Sequence, residues 1–217
     1  MPINSSRAWF NGVRTLSAAF LLAGSVMAHG AGEAADLVSR AAADPALRQT
    51  LVAEGAKAAF FCANCHGEAG ISRFGNVPNL AGQHPQYVLT QIEAFLSGER
   101  KDAFMEGLMR VLNEREKAAI ALMYAAQNVP PATAPGPRTA QGAQLFGMYC
   151  ARCHQEDAHG GKDFPRLAGQ QPEYIRISLR RYLTMSGERF YPPMTAAVSQ
   201  LGRDNIELMA EYLSSLP

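Results

Sequence analysis

The sequence predicts an all-α protein made of two tandem, similar modules. The chain repeats itself in order: Gly55-Ala56 returns as Gly142-Ala143, Cys62-Ala63-Asn64-Cys65-His66 as Cys150-Ala151-Arg152-Cys153-His154, Pro78-Asn79-Leu80-Ala81-Gly82-Gln83 as Pro165-Arg166-Leu167-Ala168-Gly169-Gln170, and Ser97-Gly98-Glu99-Arg100 as Ser186-Gly187-Glu188-Arg189. Within each copy the apolar residues recur at helical spacing: Tyr87, Gln91, Ile92, Phe95 and Leu96 in one, Tyr174, Ile175, Leu179, Tyr182 and Leu183 in the other. No run alternates as a strand would.

Residues 1–28 read as a secretory signal. Arg7 and Arg14 supply the positive region, Leu16 to Ala28 is apolar, and Val26-Met27-Ala28 is a small-residue cleavage site. About thirteen apolar residues fall short of the roughly twenty that span a bilayer, which favours cleavage over anchoring. Export to the periplasm is the expectation. The leader takes two arginines with it, so a formal charge of +1 becomes weakly negative, with the first half the more acidic. No polybasic run points to nucleic acid or a membrane surface.

Residues 29–50 form an N-terminal extension with no counterpart before the second motif. Its Ala-rich composition predicts a flexible start, followed at Asp44-Pro45 by an N-cap and first helical position for a helix carrying Leu47 and Leu51. The first module then covers 51–130. Asn113 with Glu116 is a capping-box pair opening its last helix, through Tyr124. The proline-dense stretch from Asn128 to Pro137 has the character of a semi-rigid spacer, and 131–138 is assigned as the linker. The second module covers 139–217, with a last helix opening near Gly202 under a weaker cap.

The chemistry sits in the two CxxCH motifs, which use all four cysteines. Two thiols three positions apart can each add to one vinyl group of a single porphyrin, and the adjacent imidazole is then held against the iron. A thioredoxin-like CxxC needs a βαβ setting, and a zinc site built from both pairs gives no reason for a histidine after each second cysteine. The motifs therefore predict two covalently bound haem c groups, attached at Cys62 and Cys65 and at Cys150 and Cys153, with His66 and His154 as proximal ligands. Each haem would also serve as the apolar centre of a small module.

A helix ending in CxxCH, a loop to Pro-x-Leu-x-Gly-Gln, a helix, a methionine loop and a final helix resemble the class I cytochrome c fold. Two such modules after a signal peptide resemble the dihaem cytochromes c of the c-four type, over about residues 51–217. A thioether sixth ligand favours reduced iron and suits a carrier. The resemblance places it eight residues before the last helix's cap, where Met105 and Met194 stand relative to Asn113 and Gly202. Met109 remains a rival to Met105, and His84 a weaker one, since Gln171 replaces it in the repeat. Met123, Met148 and Met209 read as core filler. The resemblance also implies that the carbonyls of Pro78 and Pro165 accept the second ring proton of the proximal histidines. Arg100 and Arg189, at matched positions, are candidates to pair with haem propionates.

The expected function is one-electron transfer between a quinol-oxidising complex and a terminal oxidase, without catalysis by the chain itself. The alternative is a dihaem subunit of a flavoprotein or quinoprotein dehydrogenase. A dihaem peroxidase would need an open iron position, against which the two methionines argue.

Overall fold

The computed structural model describes residues 30–217, so the leader and its cleavage site lie outside the described residues. The elements are α1 (Gly30–Ala43), α2 (Pro45–Ala58), α3 (Ala63–His66), α4 (Pro85–Ser97), α5 (Ala103–Arg110), α6 (Glu114–Ala125), α7 (Thr139–Tyr149), α8 (Ala151–His154), α9 (Pro172–Thr184), α10 (Pro192–Leu201), a 3-10 turn (Arg203–Asn205) and α11 (Ile206–Ser215). Among the described residues no strand forms, and the one backbone bridge joins Arg100 to Arg189 in antiparallel sense. No described helix is long and apolar enough to cross a membrane. The run α2–α6 is followed by α7–α11 in the same order of roles, as the sequence repeat requires.

Each helix start has a local cause. Asp44 caps α2 by accepting from the N–H groups of Ala46 and Leu47, with Pro45 at the first position. Asp102 accepts from Met105 N to open α5. Asn113 and Glu116 form the reciprocal box of α6. Pro85 and Pro172 open α4 and α9, and Pro192 opens α10. The sequence predicted methionine loops; the caps and prolines turn both into short helices, with Met105 and Met194 in their first turns.

Two crossings hold the modules together. Helix α2 lies against α6 at Gly55, and α7 against α11 at Gly142. A Cβ at Gly55 would run into the Ala119 carbonyl, and one at Gly142 would stand 2.6 Å from the Leu208 carbonyl. Only the lack of a side chain lets these backbones approach so closely. The cores follow from that: Leu51, Ala118, Ala119 and Leu122 with Val88, Ile92 and Phe95 in the first module, and Phe146, Ile175, Met209, Ala210 and Leu213 in the second.

The extension departs from the sequence reading. Its first part is helix α1, and Ala34, Leu37, Val38 and Ala41 on one face are buried in the first core. Alanine alone contributes little apolar area, but the facing α6 presents Ala118, Ala119 and Ala121, so small meets small and the helices approach closely. Met148 also departs: it is exposed, because α7 turns its inward face through Gly142 and Phe146. Met123 and Met209 are buried as expected. The linker runs beside α11, where Ala132 and Thr133 donate to the Ser214 carbonyl and Arg138 pairs with Glu211.

Candidate haem sites and the contact between the modules

Both CxxCH motifs end in a single helical turn that carries the histidine inward. His66 and His154 are buried, while Cys62, Cys65 and Cys150 are half-buried and Cys153 is exposed, and none is in a disulfide. His66 Nδ1 donates to the Pro78 carbonyl at 2.9 Å, and His154 Nδ1 to the Pro165 carbonyl at 3.1 Å. A carbonyl only accepts, so Nδ1 carries the hydrogen and Nε2 keeps its lone pair. Burial lowers the pKa of both imidazoles; the proline carbonyls oppose this, while Arg100 near His66 and Arg189 near His154 reinforce it. Each ring is thus biased towards its neutral form, with the hydrogen on Nδ1 and the lone pair on Nε2.

The fit to a haem rests on an orphaned atom. His154 Nε2 is buried and has no hydrogen-bond partner, a costly arrangement that a metal bond would relieve. The cysteine chemistry agrees. Burial raises the Cys62 thiol, and burial with the neighbouring Cys153 pushes Cys150 up to about 11, so neither is a ready thiolate. Among the described residues no three His, Cys, Asp or Glu side chains gather as they would around a zinc ion.

Of the methionines, Met105 is partly buried against the first core, Met194 is half-buried, and Met109 is packed inside that core. His84 is engaged elsewhere, its Nε2 donating to the His159 carbonyl of the other module at 2.8 Å. His159 itself reaches Asp157 and the Pro217 carbonyl.

Matched residues meet across the module contact. Arg100 donates to Gln91 at 2.8 Å and to the Tyr174 hydroxyl at 2.9 Å; Arg189 donates to Tyr87 at 2.7 Å and to Tyr174 at 3.2 Å. Neither guanidinium pairs with a carboxylate among the described residues. Burial resists ionisation of the Tyr174 phenol, yet the two arginines outweigh it and lower its pKa to about 7. Two guanidiniums with no carboxylate beside them among the described residues make this contact electropositive.

A second set of contacts is reciprocal. Gln170 accepts from Asn79 N at 2.7 Å and donates to the Asn79 carbonyl at 3.0 Å; Gln83 accepts from Arg166 N at 2.8 Å and donates to the Arg166 carbonyl at 3.1 Å. Asn79 and Arg166 are equivalent in the repeat, as are Gln83 and Gln170. Gly82 and Gly169, at φ 61° and 71°, make the left-handed turns that precede both glutamines. The sequence reading missed this clasp and the tyrosine hydroxyls. Their signal was the repeated Gln and Tyr, which it took as motif and helix face.

Two helical modules, each with a CxxCH histidine fixed through Nδ1 and free at Nε2, define a dihaem c-type cytochrome. Residues 139–217 match the family model Cytochrome c. Cytochrome c4 of Pseudomonas aeruginosa is 31% identical over 176 residues, covering 76% of this chain and 88% of that protein. The thiosulfate dehydrogenase electron acceptor of Thiomonas intermedia is 29% identical, covering 72% and 78%. Among solved structures, reduced cytochrome c4 from Pseudomonas stutzeri aligns with a TM-score of 0.69 at 26% identity, over 76% of this chain and 98% of that one. The chain belongs to the cytochrome c4 family. It is an electron-transfer protein carrying haem c.

Proposed function

We propose that the chain is a periplasmic one-electron carrier between a quinol-oxidising complex and a terminal oxidase, exported by a leader over 1–28. The observation that carries this reading is the paired histidine geometry, with Nδ1 of both rings engaged by a proline carbonyl and Nε2 of His154 buried without a partner. When bound, each haem supplies one reversible electron between ferrous and ferric iron. The chain's own residues do the rest. Cys62, Cys65, Cys150 and Cys153 would anchor the porphyrins, His66 and His154 would be the proximal iron ligands, and Met105 and Met194 would supply the sixth ligands that exclude external ones. Pro78 and Pro165 hold the Nδ1 protons and so fix each tautomer. Arg100 and Arg189 would receive the propionates, which would pair two half-buried cations that have no carboxylate partner among the described residues. In this reading the 29–50 extension braces a first module of 51–130 through α1, and 131–138 links it to a second of 139–217.

A relative named as the acceptor for thiosulfate dehydrogenase favours a second reading, in which the chain takes electrons directly from a dehydrogenase partner. Isolation of the native protein separates the two. A carrier elutes as a single chain with two haems and is reduced by quinol-oxidising membranes; a dedicated subunit co-purifies with its dehydrogenase and is reduced by that enzyme's substrate.

A further inference from the structure

Each proximal histidine's acceptor is tied to the opposite module. The Pro78 carbonyl that takes the His66 proton belongs to the same peptide group as the Asn79 N–H, and that N–H donates to Gln170 at 2.7 Å. The His154 acceptor at Pro165 shares its peptide with Arg166 N, which donates to Gln83 at 2.8 Å. Hydrogen bonds in series polarise one another: an acceptor on the N–H side draws the peptide towards its charge-separated form and makes the carbonyl oxygen a stronger acceptor. A stronger acceptor holds the Nδ1 proton more tightly and increases donation from Nε2. The glutamine side chain suits this role because its oxygen and its NH2 engage the N–H and the carbonyl of one residue at once. Gln83 and Gln170 are both nearly fully buried, so water does not compete.

We infer that Gln83 and Gln170 are positioning residues that act crosswise, Gln170 setting the potential of the haem bound at His66 and Gln83 that of the haem bound at His154. The module contact is then part of each redox centre, and a haem's potential depends on the other module being docked. This rests on the proposed assignment of His66 and His154 as iron ligands.

The test uses the full chain with both haems, comparing Gln170→Leu and Gln83→Leu with the unsubstituted protein. Potentials are resolved haem by haem, and the Nδ1–H proton resonances of the two histidines are followed by NMR in the reduced state. Cooperative strengthening of about 10–30% of a net hydrogen bond corresponds to a shift of up to roughly twofold in a reduction equilibrium. Gln170→Leu should favour reduction of the first-module haem by about that factor and move the His66 resonance, leaving His154 in place; Gln83→Leu should do the reverse. If a leucine variant fails to carry both haems, Gln170→Glu keeps an oxygen towards Asn79 N–H and should shift the same haem the opposite way. Shifts confined to the substituted module, equal in both haems, or absent would overturn the inference. If the unsubstituted protein shows no haem-shifted Nδ1–H resonances from His66 and His154, the ligand assignment fails instead.

Discussion

Replacing Met194 with alanine should open the second haem's iron to external ligands such as cyanide, abolish the weak long-wavelength band of ferric methionine ligation for that haem, and lower its potential. Thioether ligation favours the ferrous state, and its loss removes that preference along with the group that closes the face. Met105→Ala should do the same to the first haem. Met109→Ala should leave both bands in place and cost only packing, about 2–5 kcal/mol, since that side chain is buried in the first core. Absorption spectra of the three ferric variants, with and without cyanide, check this. Loss of the band in Met109→Ala but not Met105→Ala would shift the ligand by one helical turn. Retention in both would exclude Met105 and Met109 as the first haem's ligand and return His84 as the candidate.

Gly55→Ala and Gly142→Ala should each cost about 1–3 kcal/mol, although alanine is the better helix former. At an open helical site the exchange would stabilise by about 1 kcal/mol. Here the added Cβ meets backbone: the Ala119 carbonyl at one crossing, the Leu208 carbonyl and Tyr212 Cβ at the other. Backbone cannot step aside without parting the helices, and overpacking of this kind costs 1–3 kcal/mol or more. Denaturant melts of the holoprotein measure it. A neutral or stabilising result would show that the crossings are looser than described.

The duplication, the haem motifs and most helix starts were legible because their causes are local. CxxCH, the Asn113–Glu116 box and Asp44-Pro45 each act within five residues. Pro78 and Pro165 were legible by resemblance, and the structure adds the hydrogen bonds. What escaped depends on partners far along the chain. Helix α1 reads as a flexible Ala-rich start until α6 supplies alanines to meet it. Tyr87, Tyr174, Gln83 and Gln170 read as motif and helix face, since their hydroxyls and amides find partners in the other module, far along the chain. Met148 fits a helical spacing equally well on either side of α7, and the side is chosen by Gly142 at the crossing.

The most direct test is a coulometric titration of the purified native protein, with the ferric methionine band recorded at each step. Two His/Met haems predict two electrons per chain and a band that disappears in two equal parts, one with each electron. Uptake of a single electron, or of a second electron with no loss of band, would contradict the account.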